Sequence, residues 1–415
     1  MPSLYKFQEQ SIDALLSGKH LCLLGTGCGK SAVSVKWAET TCKNTGKTKV
    51  LITTTPSKRD SGDYLNEADV WADNSWRESL SEFEVISWHA LKKWVNAHWN
   101  NLDDYVYIFD EVAKAKSGVS SGMGKAFLRI AHQTEDWVGL TATPGDKWID
   151  FYAYFTACRL VRNKTAFKAR YVTETFYKGY PDIIGYRHED ELLHMWKKIS
   201  TSPDTSQMTK ELPPETHHIV KFKKPAGYDK AIKTRMSASG EWLDSTMKLA
   251  HHIRELCFTK AKQQWVTDFL EGLGEGAVIF YTYREEGNKL EEIAKKALPK
   301  EAKVWRIDGD HHEIPTVETT GKYDVVLCQW QSGSEGLNLQ HFSYMVAVSS
   351  QYSYSTLTQA EGRIRRIGQT RPQFFYQLLC EKTIEEDIAK TLLEKKDFSE
   401  LTWSHEKGID INDSL

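Results

Sequence analysis

Two blocks of the chain alternate short, almost wholly apolar runs with longer amphipathic stretches. In the first block the runs are HLCLL (20–24), KVLITTT (49–55), EVISW (84–88), YVYIFD (105–110) and DWVGLT (136–141). In the second they are GAVIFYT (276–282), KVWRID (303–308), YDVVLCQ (323–329), YMVAVSS (344–350) and FFYQLL (374–379). Runs this short, rich in Val, Ile and aromatic residues, read as strands buried on both faces, with the helical segments between them covering those faces. The pattern predicts an α/β protein of two lobes, each a mostly parallel sheet with helices on both sides. Ligands of such sheets gather at the carboxyl ends of the strands. In the first block those ends carry the loop after Leu24, Asp110 and Thr141.

Between the blocks the periodicity is weaker. Residues 159–212 read as a basic, irregular or helical insertion, with Arg159, Arg162, Lys164, Lys168 and Arg170 as candidate DNA contacts beside the plain reading of a solvated surface. ELPPE (211–215) reads as a linker, because paired prolines resist helix and ladder alike. The expected organisation is a first lobe over 1–158, the insertion over 159–212, a second lobe over 213–397 with the linker at its start, and a polar tail over 398–415.

Composition narrows the function classes. With 415 residues and 40% hydrophobic content the chain is long enough for two or three domains. The formal net charge is −2, so the chain is not basic throughout and any phosphate-binding surface is local. None of the seven cysteines stands at CxxC spacing, which argues against a structural zinc site and fits a reducing compartment. The start, MPSLYKFQEQ, lacks an apolar signal region, and no apolar run reaches the ~18–20 residues that span a bilayer. These features predict a chain without a membrane partner, placed in the cytosol or the nucleus. The fourteen tryptophans follow no repeat and read as core or interface residues.

The candidate chemistry begins at LGTGCGKS, between a predicted strand and a predicted helix. Glycines let the backbone approach phosphate oxygens, and a helix N-terminus adds its amides and dipole. Gly27, Cys28 and Gly29 would cradle a polyphosphate, Lys30 would reach the β and γ phosphates, and the Ser31 hydroxyl would hold Mg²⁺. Leu24 stands where the strict phosphate-loop pattern has glycine, whereas the shorter GxGK[ST] core is intact. Asp110 and Glu111 follow an apolar strand; the first carboxylate can hold the metal and the second can orient the attacking water. Alone, a DE pair is more often a solvated strand end. Far along the chain, QAEGRIRRIGQ (359–369) sets Arg363 and Arg366 at i, i+3, on one face of a helix. Arginine suits the charge of a transferring phosphoryl group.

In this order the elements resemble a superfamily 2 helicase. KFQEQ, with Gln8, resembles the adenine-reading Q element; GTGCGKS resembles motif I, TTTPSK (53–58) motif Ia, DEVA (110–113) motif II, TATP (141–144) motif III, VIFYTYRE (278–285) motif IV, SGSEGLNLQ (332–340) motif V, and QAEGRIRRIGQ motif VI. The second block, with RIGQ followed by FYQLLCEKTIEEDI and the pair Lys395 and Lys396, is similar to the Swi/Snf branch, in a compact layout like phage or bacterial members. The resemblance implies two RecA-like lobes with ATP and Mg²⁺ in a cleft between them. Lys30, Ser31, Asp110 and Glu111 would come from one side, Arg363 and Arg366 from the other. It implies nucleic-acid contacts, most of all to double-stranded DNA, at Thr55, Pro56, Lys58, Gly333, Gly336 and Asn338. It implies coupling roles for Thr141, Thr143, Glu335 and Gln359. Ala113 departs from the branch, which has histidine there; Ser31 replaces the usual threonine and keeps its hydroxyl.

The expected activity is a nucleic-acid-stimulated ATPase that translocates on duplex DNA. A strand-separating helicase acting on forked or branched DNA or RNA, and an ATP-gated clamp without sustained stepping, are the alternatives. Protein partners are unreadable, and two lobes in one chain make a monomer sufficient.

Overall fold

The computed structural model describes residues 3–145, 147–177, 180–205, 212–311, 313–333, 337–366 and 368–394. The expected contacts and coupling positions Gly336 and Glu335, the lysine pair Lys395 and Lys396 and the tail 398–415 lie outside the described residues, as does Glu211 of the linker. The chain divides into two compact units, 1–211 and 212–415. Both are α/β units with wholly parallel six-stranded sheets.

The first sheet is built from β1 (Leu21–Leu23), β2 (Lys49–Thr54), β3 (Glu82–Ser87), β4 (Tyr105–Asp110) and β5 (Trp137–Thr141), with a further strand, β8 (Ser200–Thr201), from the intervening segment. Its order is β3-β2-β4-β5-β1-β8. Every apolar run of the first block is one of its strands, because Val, Ile and aromatic side chains pack on both faces of a covered sheet. Beneath the sheet lies an aromatic stack: Phe109 meets Phe127 edge-on at 5.0 Å, and Phe127 meets Trp137 at 5.2 Å. Trp88 Nε1 donates to the Asp110 carbonyl at 2.7 Å, tying this core to the end of β4. Truncating a buried aromatic of this kind to Ala costs about 3–5 kcal/mol.

Segment 159–205, within the expected irregular or helical insertion, belongs to the first unit. It forms a helix over Lys164–Tyr171, an antiparallel hairpin of β6 (Val172–Tyr177) and β7 (Tyr180–Tyr186), and a helix over Glu189–Ile199. It then adds β8 (Ser200–Thr201) parallel to β1. Phe167, Tyr171, Leu192, Met195 and Ile199 join the core of the first unit. Three of the five candidate basic residues are engaged by acidic neighbours, Arg159 with Glu135 at 2.5 Å, Lys168 with Glu174 at 2.5 Å and Arg170 with Glu191 at 2.9 Å, and Lys164 donates to Ser120 Oγ at 3.2 Å.

The second unit opens with β9 (Glu215–Phe222), which begins inside the expected linker. Then come β10 (Ala277–Tyr281), β11 (Val304–Ile307), β12 (Val325–Gln329), β13 (Tyr344–Ala347) and β14 (Gln373–Cys380), in the order β11-β12-β10-β13-β14-β9. Strand β9 is mostly exposed and holds the edge by pairing with all of β14, from Glu215↔Gln373 to Phe222↔Cys380. His217 and His218 stack on Phe375 and Tyr376, each at 4.8 Å. The TIEE element is the start of the helix Ile384–Leu393, capped by Thr383. Its Glu385 accepts from buried Lys262 at 2.8 and 2.9 Å and from the Cys380 amide at 2.8 Å.

Candidate functional site

In the first unit, motif I turns sharply between β1 and the helix Lys30–Thr45. Gly27 (φ 78°) and Gly29 (φ 71°) are left-handed, and Gly29 is the N-cap of that helix. A side chain at either position would strain the turn, so glycine is what brings the first amides of the helix to the loop. Lys30, 8% exposed, donates to the carbonyls of Leu24 at 3.1 Å and Gly25 at 3.3 Å. Burial pushes its ammonium below the ordinary lysine value; Glu111 opposes that shift and Lys58 adds to it. Ser31 is in the first turn of the same helix, where its carbonyl accepts from Ser34 Oγ at 2.8 Å.

Gln8, in the helix Lys6–Leu16, is 1% exposed. Its Nε2 donates to the Cys28 carbonyl at 3.1 Å and its Oε1 accepts from the Tyr5 amide at 2.9 Å. In this structure the nitrogen of the amide braces the phosphate loop, while its oxygen caps the start of its own helix.

Asp110 closes β4 and is fully buried. Its Oδ2 accepts from Thr54 Oγ1 at 2.8 Å and from Lys58 Nζ at 2.7 Å, while Oδ1 is buried with no hydrogen-bond partner. Burial alone would raise this carboxyl; the charges of Lys58 and Lys30 and the Thr54 hydroxyl outweigh it and hold it below the usual range. Glu111, immediately after, sits at φ 51°, a left-handed conformation rare for a side chain that is not glycine. Ala113 lies in the 3₁₀ turn Val112–Ala115 that follows.

Thr55 is 1% exposed and caps the short helix Pro56–Asp60 by accepting from the Lys58 amide at 3.5 Å. Pro56 is exposed at its first position. Lys58 and Thr54 were not legible as partners of Asp110, since nothing in their spacing places motif Ia on motif II. Thr141 ends β5, 1% exposed, and its Oγ1 accepts from the Thr143 amide at 3.1 Å, shaping the TATP turn. The structure thus brings Gln8, Gly27, Cys28, Gly29 and Lys30 into one loop assembly, with Asp110, Glu111 and Lys58 close enough to act on Lys30 electrostatically.

In the second unit, Gly333 ends the short helix Trp330–Gly333, and Asn338 is exposed between buried Leu337 and Leu339. Gln359 and Arg363 are in the helix Tyr354–Ile364, Arg363 being 6% exposed. That helix ends at Ile364, with Arg365 as its C-cap, so Arg366 stands beyond it. The two arginines therefore do not share a helical face, a correction to the i, i+3 expectation: the helix stops before the second of them. Gln369 pins the segment that follows, donating to the carbonyls of Phe342 at 3.0 Å and Ile364 at 3.4 Å and accepting from the Thr370 and Arg371 amides.

Residues 261–368 match the Helicase conserved C-terminal domain. Over 75 residues the chain is 37% identical to YqhH of Bacillus subtilis, named as an ATP-dependent helicase, a match covering 18% of this chain and 13% of that protein. Over 132 residues it is 30% identical to the DNA repair and recombination protein RAD54B of Mus musculus, covering 30% of this chain and 15% of that protein. These matches span only a small part of the length of either relative. A solved Sulfolobus solfataricus SWI2/SNF2 ATPase core in complex with dsDNA aligns over 95% of this chain and 91% of that one, at 15% identity and a TM-score of 0.43. The matched segments of the chain are thus similar to superfamily 2 helicases of the Swi/Snf-like group. Among the described residues no helix is long and apolar enough to cross a membrane.

Proposed function

We propose that this chain is a nucleic-acid-stimulated ATPase that translocates along double-stranded DNA, hydrolysing ATP in the first unit with arginines supplied by the second. The observation that carries the reading is Asp110: a fully buried carboxylate with one oxygen lacking any partner, at the strand end electrostatically coupled to Lys30. A buried anion with an open oxygen has a strong call for a cation, and Asp110 with the Ser31 hydroxyl forms the hard oxygen donor set that suits Mg²⁺. Bound there with ATP, the metal would neutralise charge on the β and γ phosphates. The amides after Gly27 and Gly29 would hold the phosphates, Lys30 would leave the Leu24 and Gly25 carbonyls for the γ-phosphate, and Glu111 would orient the attacking water. Arg363 and Arg366 would complete the site when the units close on it.

ATP and DNA are supported by the printed names of the two relatives, one an ATP-dependent helicase and the other a DNA repair and recombination protein. Duplex stepping is supported by the RIGQ and TIEE elements, whose Gln369 and Glu385 both brace the second unit. Measuring ATP turnover with duplex DNA, single strands and RNA tests the nucleic-acid class. Triplex displacement beside forked-duplex unwinding tests the motion. Duplex-stimulated turnover with triplex displacement and no unwinding is expected; unwinding without triplex displacement would give the strand-separating alternative, and stimulation with neither would give the clamp.

A further inference from the structure

Lys58 stands on the short helix that carries Thr55 and Pro56, where the motif Ia resemblance implies a nucleic-acid backbone contact. Its ammonium instead reaches Asp110 Oδ2 at 2.7 Å, the lysine side chain 14% exposed and the carboxylate fully buried. This pair differs from the buried pair Lys262–Glu385. Glu385 has both oxygens satisfied, by Lys262 at 2.8 and 2.9 Å and by the Cys380 amide at 2.8 Å, as a purely structural pair requires. Asp110 has only one oxygen satisfied; Oδ1 is buried and unpartnered. Lys58 therefore neutralises Asp110 without completing its coordination.

The local geometry lets the ammonium leave. The turn is fixed by the Lys58 amide on Thr55 Oγ1 at 3.5 Å and by Pro56 at the first helical position, neither of which involves the lysine side chain. Lysine is a flexible stem with a point charge, suited to exchanging one anion for another. Two cations on one buried carboxylate repel strongly at low dielectric, so the ammonium and a divalent ion compete for Asp110. The Lys58 side chain is 14% exposed, so a phosphodiester approaching this strand end can offer its ammonium a second anion.

We propose that Lys58 is a tethered counter-ion that competes with metal–nucleotide for Asp110, and that a duplex-DNA phosphate draws its ammonium away, so that DNA and metal-bound nucleotide bind with positive linkage. The proposal rests on the nucleotide-site reading of the first unit. By reciprocity, nucleotide must tighten DNA binding by the same factor that DNA tightens nucleotide binding.

The test is equilibrium binding of a fluorescent, non-hydrolysable ATP analogue across a Mg²⁺ titration, with and without a short DNA duplex. In the wild type, duplex is expected to lower the Mg²⁺ midpoint by at least about fivefold, the lower end of typical couplings. Lys58→Gln, which keeps a hydrogen bond to Asp110 and removes the charge, is expected to show the lowered midpoint without DNA and no further shift with it. Lys58→Met should do the same, and Lys58→Arg should retain the shift. The salt dependence of duplex binding, measured with the analogue bound, should lose about one unit of slope in Lys58→Gln. A folded Lys58→Gln or Lys58→Met protein with the wild-type Mg²⁺ midpoint and an intact DNA shift overturns the role of Lys58 alone. A wild type that binds no analogue at any Mg²⁺ concentration removes the nucleotide site, and this proposal with it.

Discussion

Glu111 occupies a backbone conformation that glycine takes freely and a glutamate does not, at φ 51° and directly after the buried Asp110. A side chain held there costs on the order of 1–3 kcal/mol, and the carboxylate is the only feature of the residue that can repay it through activity. Glu111→Gly is therefore expected to leave the thermal midpoint unchanged or raised while abolishing ATP turnover; a midpoint several degrees lower would show that the side chain is structural. Lys30→Ala is expected to remove turnover with the circular dichroism spectrum preserved, and retained turnover in a folded mutant would remove the site assignment. Lys30, Asp110 and Glu111 were legible in the sequence because each follows an apolar run closely enough for the strand end to place it. The Lys58–Asp110 pair was not, since motif spacing carries no information about which side chain of one strand end meets which of the next. Nor was the bracing of the Cys28 carbonyl by Gln8, which depends on how the first helix packs.

At the scale of elements, every apolar run read as a strand is one, and the two parallel edge strands that were missed have a common physical cause. Strand β8 is two residues long, and β9 exposes most of its side chains, so neither buries enough apolar surface to mark the sequence. Strand β9 instead depends on β14 and on the helix Tyr354–Ile364, where Arg365 Nε meets Glu215 at 2.9 Å and His217 Nδ1 lies 3.8 Å from Glu361 Oε1. Burial, and then Glu215, raise the Glu361 carboxyl to about 7, with Arg365 opposing. A raised carboxyl favours the protonated form in the folded state, so its contribution to stability is complete below the ordinary 4.5 and is lost as pH rises through about 7. Glu361→Gln, neutral throughout, should gain thermal stability relative to wild type between pH 5 and pH 8. Repeating the comparison in a His217→Gln background isolates the carboxyl, and a difference that does not grow with pH would contradict the assignment. The Lys262–Glu385 pair, 0% and 2% exposed, anchors the helix Ile384–Leu393 against the sheet. Lys262→Met should destabilise the protein by about 3–5 kcal/mol by stranding a buried charge, with partial recovery in Lys262→Met/Glu385→Leu.

For the whole molecule, the proposed cycle needs one site assembled from two separately folded units. Lys30 and Asp110 belong to the unit 1–211, while Arg363 and Arg366 belong to the unit 212–415. On the proposed reading the first unit would complete nucleotide binding by itself, since the loop amides, Lys30, Ser31 and Asp110 all lie there. Transition-state charge on the transferring phosphoryl group is then the part left for the arginines, and such a residue is worth ~10³–10⁵ in rate. The position of Arg366 beyond the end of its helix, with Gln369 pinning the chain that follows, makes it the arginine whose removal leaves the helix itself untouched. Arg366→Ala should therefore lower duplex-stimulated turnover by at least ~10³-fold while ATP affinity changes little. The two readouts separate the roles: a matching loss of ATP affinity would make Arg366 a ground-state ligand, and unchanged turnover would mean that hydrolysis is completed within the first unit. In that last case the coupling of DNA to ATP would have to run through motif Ia alone, and the Mg²⁺ linkage expected at Lys58 would be its only measurable trace.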